Sequence, residues 1–167
     1  MKKKWGLLTA TLLCASMLAA ACGSGGAKQD AHGDGAAHQA ANGDLQEKTA
    51  SSAVLPKFLN KQREEIRLVY ELAGKNADLL QSMPCYCGCG ESAGHKSNQN
   101  CFIHETNADG SVVWDDHGTR CGICMEIAVK AVSLKKDGKT PLEIRKQIDE
   151  TYKGTAGKPT DTPLPEA

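Results

Sequence analysis

The sequence predicts a mainly α protein: a small helical domain of about four helices, with a long Cys/His-rich loop that contains a short β-hairpin. Three observations predict it. Apolar residues recur at helical spacing on both sides of residues 84–120. That interval has no helical period, yet it holds Cys85, Cys87, Cys89, His95, Cys101, His104 and His117. Within it, two β-prone runs flank a turn rich in Asn, Asp and Gly. A loop of that length inside a compact domain needs something other than apolar packing to hold it.

The chain of 167 residues opens on Lys2, Lys3 and Lys4, followed by an apolar run from Leu7 to Leu18. That run suits a secretory signal and is too short to span a bilayer. It ends in Leu18-Ala19-Ala20-Ala21-Cys22, which resembles the bacterial lipobox. Residues 1–21 are therefore expected to be a lipoprotein signal peptide, with Cys22 acylated as the first mature residue. The alternative is an ordinary cleaved signal that leaves Cys22 as a spare thiol. Either way the mature chain lies outside the cytoplasm, where thiols are not kept reduced. The lipid reading places it on the extracytoplasmic face of the cell membrane. Removing the three lysines leaves seventeen basic residues against twenty acidic ones, which gives no footprint for nucleic acid.

Residues 22–53 are mostly Gly, Ala, Ser, Gln, Asp and His, and read as a disordered tether, with His32 and His38 solvated in it. Residues 154–167 carry Pro159, Pro163 and Pro165 and read as a disordered tail. The folded domain is then 54–153. Aromatic residues make up only 4% of the chain, so its core is thin and needs covalent or metal staples.

Pro56 opens the first helix, on which Leu59, Ile66, Val69, Tyr70 and Ala73 share a face; Gly74 stops or bends it. Asn76 caps a short second helix through Ser82, and Pro84 ends it. Cys101–Thr106 and Ser111–Trp114 form the hairpin around Asn107–Gly110. Cys121 opens the third helix, which carries Ile123, Ile127, Ala131 and Leu134 to Lys136. Thr140-Pro141-Leu142-Glu143 starts the last one, with Ile144, Ile148 and Tyr152 on its buried edge.

The chemistry centres on Pro84-Cys85-Tyr86-Cys87-Gly88-Cys89, three thiols each one residue apart. In an extended backbone they share a face, and a bridge between residues two apart is strained. Cys121 and Cys124 form a Cys-x-x-Cys hook at a helix start, a standard half of a tetrahedral thiolate site. The helix N-terminus is expected to lower both thiol pKa values. The candidate metal ligands are Cys85, Cys87, Cys89, Cys101, Cys121, Cys124, His117 and His95. His104 is a weaker candidate, set against Cys101 by the strand alternation. Met125 reads as core and Glu126 as a surface acid. Soft sulfur ligands select copper or zinc. Two competitors stand beside metal: a disulfide framework of the six domain cysteines, and thiol-disulfide exchange through Cys121 and Cys124. The βαβ context expected around a thioredoxin-like hook is missing. Met125 follows the hook where haem attachment requires His, so no haem is expected. No nucleotide is expected either, because no glycine-rich phosphate loop is present.

The run from Pro84 to Cys89, with His95, Cys101-Phe102, Trp114, His117 and Cys121-Gly122-Ile123-Cys124, resembles the family of bacterial lipoproteins with the PCYCGC motif, over about residues 57–153. That resemblance implies the same cysteine-rich domain and assigns no activity. The expectation is a membrane-anchored lipoprotein that binds copper or zinc for metal handling and serves a metal transporter or metalloprotein. It is not expected to be an enzyme.

Overall fold

The computed structural model describes residues 35–154 and 157–166. The expected signal peptide, Cys22 and His32 lie outside the described residues. Among the described residues no helix is long and apolar enough to cross a membrane.

The fold is mixed α/β and helix-rich, not mainly α. Its strands are β1 (Ala37–Gln39), β2 (Leu45–Thr49), β3 (Ile103–Thr106) and β4 (Val112–Asp115). They form one antiparallel sheet in the order β1-β2-β4-β3. The expected hairpin is β3–β4, and β4 is buried throughout.

Strands β1 and β2 come from the stretch expected to be tether, so the folded body begins well before residue 54. Its hydropathy hides the reason. Three of the five β2 side chains are buried, and all three are polar: Gln46, Glu47 and Thr49. Each has a dedicated partner, as buried polar groups require. Gln46 Nε2 donates to Asp115 Oδ2 at 2.8 Å. Glu47 accepts from the Lys57 and Phe58 N–H groups at 2.8 and 3.2 Å. Thr49 Oγ1 accepts from Trp114 Nε1 at 2.8 Å. The β1–β2 turn is Ala40-Ala41-Asn42-Gly43-Asp44, with Gly43 at φ 88°, a conformation that glycine adopts freely.

The described residues also form five α-helices: α1 (Glu64–Lys75), α2 (Ala77–Gln81), the single turn α3 (Cys89–Ser92), α4 (Gly122–Lys136) and α5 (Pro141–Tyr152). Pro56 precedes a 3-10 turn, Lys57–Lys61, that is separate from α1. Gly74 lies inside α1 and does not stop it. A Cβ there would come within 2.8 Å of both Ser52 O and Trp114 Cη2, so the helix needs glycine to approach the sheet. Asn76 precedes α2 without a side-chain cap; its Nδ2 donates back to Leu72 O at 2.9 Å. The Thr140/Glu143 capping box of α5 is present as the sequence predicts.

Helix α4 packs against α1, α2 and α5. It buries Cys124, Ile127, Ala128, Ala131 and Val132. Tyr70, Phe102 and Trp114 join helix to sheet, with Tyr70 edge-on to Phe102 at 5.2 Å. The Tyr70 hydroxyl donates to Asp115 O at 2.7 Å.

The expected disordered tail is also built in from residue 157. Gly157 N donates to Tyr86 O at 2.7 Å and Thr160 N to Cys85 O at 2.9 Å. In return, Cys85 N donates to Thr160 Oγ1 at 2.9 Å. Thr160 and Thr162 are buried, and Arg145 Nη1 holds the Thr162 and Pro163 carbonyls at 2.9 and 3.1 Å. A proline-rich composition conceals this strap because backbone groups, not apolar side chains, hold it.

Candidate metal centre

Three parts of the backbone converge on one point. The first is the segment after α2. Cys85 lies outside any regular element, Gly88 turns left-handed at φ 84°, and Cys89 starts α3. The three thiols therefore converge through a turn, not along an extended strand. Cys85 Sγ lies 3.1 Å from Cys87 Sγ and 3.0 Å from Cys89 Sγ. The second part is the 3-10 turn Asn98–Cys101, which Asn98 ties to α4 by donating from Nδ2 to Cys124 O at 3.1 Å. Cys101 ends this turn instead of opening the strand. His104 is exposed on β3 and joins no ligand group among the described residues.

The third part is the 3-10 turn Asp116–Arg120 leading into α4. A Cβ on Gly118 would sit 2.6 Å from Phe102 Cε1, so the absence of a side chain lets this turn lie on the core. It presents His117, then Cys121 at the α4 N-cap and Cys124 in its first turn.

All eight candidate ligands meet here. Cys85, Cys89, Cys101 and Cys124, each fully or nearly fully buried, have their sulfurs within 4.8 Å of one another. The sulfur of Cys124 is 3.1 Å from Cys85 and 2.9 Å from Cys101. Cys101 is 3.7 Å from Cys85 and 4.0 Å from Cys89. A tetrahedral ion with Zn–S bonds of about 2.3 Å holds its sulfurs about 3.8 Å apart, a spacing inside the spread of these separations. Cys87, His117 and Cys121 form a second, half-buried group, and Cys89, His95 and His117 a third. His95 Nδ1 lies 3.5 Å from Cys101 Sγ, and its ring meets that of His117 at 4.7 Å. Among the described residues all six cysteines are free thiols.

The thiols divide the charge unevenly. Hydrogen bonds from Cys101 and then Cys124 pull Cys85 down to about 4. Cys87 is held well below the usual thiol range by Cys101 first, then Cys121 and Cys124. The helix N-terminus does not lower Cys124: its sulfur neighbours, Cys101 foremost, push it up. Cys121 is also raised. The first negative charges therefore settle on Cys85 and Cys87, while Cys89 in the same run is raised, a direction opposite to the expectation for the helix hook.

One important residue escaped the sequence reading. Asp44, from the β1–β2 turn, is buried and takes His117 Nδ1 at 3.2 Å, the Arg120 guanidinium and Asn42 Nδ2 at 2.7 Å. Arg120 also pairs with Asp116 at 2.8 Å. A carboxylate on Nδ1 fixes the imidazole tautomer and turns the other ring nitrogen toward a metal. The signal was Asn42-Gly43, a strong hairpin turn pair. His117 is raised above its ordinary pKa by Cys87 first and by Asp44. Burial, followed by repulsion from His117, lowers His95.

Fold and site together define a small helix-rich α/β domain built around a buried thiol and imidazole cluster capable of holding a metal. The chain belongs to the family described as proteins of unknown function with the PCYCGC motif, whose model matches residues 11–165. No curated protein and no solved structure matches it.

Proposed function

We propose that this protein is a lipid-anchored extracytoplasmic lipoprotein that binds a soft transition metal, copper or zinc, for metal handling. The observation that supports the metal reading is the buried four-thiol group Cys85, Cys89, Cys101 and Cys124, with sulfurs within 4.8 Å of one another. Burial of four thiols at one point has a direct use when a soft cation draws their protons off and offsets part of the thiolates' charge. His117, His95, Cys87 and Cys121 extend the donor set. The protein acts by binding and transfer, not by turnover, and a metal transporter or apo-metalloprotein is the partner class that suits it.

The test is a spectroscopic titration of the reduced full-length chain with Cu(I) and Zn(II). The expected result is stoichiometric uptake, with sulfur-to-metal charge-transfer absorption for Cu(I). Absence of uptake at micromolar metal refutes the reading. The anchor rests on Cys22 alone and is tested separately by labelling with a radioactive fatty acid. Label should enter the parent and not Cys22→Ala; equal labelling of both refutes acylation at that residue.

A further inference from the structure

A single tetrahedral ion leaves part of this cluster unused. The four fully buried sulfurs of Cys85, Cys89, Cys101 and Cys124 complete one shell. Cys87 and Cys121 remain, each in contact with that shell: Cys87 lies 3.1 Å from Cys85, and Cys121 lies 3.1 Å from Cys124. With His117 they form a group whose donor atoms are within 4.8 Å of one another. Cys124 faces both groups, because its sulfur is also 3.7 Å from Cys87. A thiolate has lone pairs enough to bind two soft ions at once.

Building on the soft-metal reading above, we propose that the centre holds two ions that share the Cys124 thiolate. The inner ion takes Cys85, Cys89, Cys101 and Cys124. The outer ion takes Cys87, Cys121, His117 and the bridging Cys124, a three-sulfur, one-nitrogen set. Charge favours double occupancy. Six thiolates around one divalent ion leave four negative charges in a largely buried site, and around two they leave two; buried charge without a partner is costly. If Cys87 and Cys121 instead keep their protons, two half-buried thiols and an oriented imidazole are gathered without use.

The two positions differ in access. The inner sulfurs are at most 2% exposed, whereas Cys87, Cys121 and His117 are half-buried and reach solvent. The outer ion is therefore the exchangeable one, and the inner ion holds the three backbone segments together. Metal transfer to a partner proceeds from the outer position.

Native mass spectrometry of the reduced full-length chain, loaded with Zn(II) and desalted anaerobically, tests this. Two zinc ions per chain are expected. A colorimetric chelator should then remove one at least about ten times faster than the other. Cys87→Ser combined with Cys121→Ser should saturate at one ion and keep only the slow phase. His117→Gln, a milder change, should speed the fast phase alone. Saturation of the parent chain at one ion overturns the two-ion proposal and leaves the soft-metal reading standing. Two ions lost at one common rate overturn the inner and outer assignment. No bound zinc or Cu(I) overturns the soft-metal reading itself.

Discussion

Asp44→Asn is the most informative single change, because it tests the fold and the site together. Asp44 has 3% of its side chain exposed and gathers Arg120, His117 and Asn42. Asparagine keeps the shape but loses the charge and one acceptor oxygen, so an N–H₂ group is aimed at a donor. Hydrogen bonds to a charged group contribute about 1.5–3 kcal/mol. Arg120 is 49% exposed and retains Asp116, which puts the loss toward the lower end, about 2 kcal/mol. For a body of this size that lowers Tm by roughly 5–10 °C. Loss of the Nδ1 partner also frees the His117 ring, and such supporting contacts contribute roughly 10–100-fold in metal affinity. Thermal melts of the reduced protein read the first effect, and competition against a chelator of known affinity reads the second. A Tm within about 2 °C of the parent, together with unchanged affinity, would show that residues 35–53 are a tether and that Asp44 supports nothing.

Three further outcomes are expected. Gly118→Ala must place a methyl against Phe102 and the Cys101 carbonyl, at 2.6 and 2.9 Å; overpacking of this kind costs about 1–3 kcal/mol. Urea denaturation and metal uptake should both suffer, and a neutral result would mean that the 116–120 turn is not fixed on the core. Thr160→Val removes the acceptor of the buried Cys85 N–H. The loss should be about 1–3 kcal/mol, with faster hydrogen exchange at Cys85, whereas unchanged exchange there would detach the C-terminal strap from the site. The pH dependence follows from His117, whose folded pKa is raised by Cys87 and then Asp44. Its protonated form stabilises the metal-free fold fully below the unfolded value near about 6.5, and this contribution is lost as pH rises through the folded value. The stability gap between the parent and His117→Gln should therefore be widest in acid and close above neutrality; a gap that widens with pH contradicts the sign.

The helices were the legible part of this sequence. Apolar periodicity marked α1 and α4, and Thr140-Pro141-Leu142-Glu143 marked the start of α5. The β3–β4 hairpin was visible in its turn residues. So were the eight ligand candidates, because thiols and imidazoles are rare enough to be counted. What stayed hidden was held by polar groups. Strand β2 buries Gln46, Glu47 and Thr49, each satisfied by specific partners that no hydropathy pattern reveals. The C-terminal strap is fixed by backbone bonds to Cys85 and Tyr86 and by polar groups of Thr160, Thr162 and Arg145, none of which shows as an apolar pattern. The distribution of charge among the thiols depends on which sulfurs touch, so the helix N-terminus alone predicted the wrong direction for Cys121 and Cys124.

The proposed role of the six domain thiols, to hold a soft metal, is read by isolating the full-length protein anaerobically from its own cells. Metal content and alkylation-accessible thiols should be measured on the same sample. A soft-metal centre gives bound copper or zinc, thiols protected from alkylation, and six reactive thiols released when the metal is stripped. A metal-free protein with its six domain cysteines joined in disulfides would contradict it.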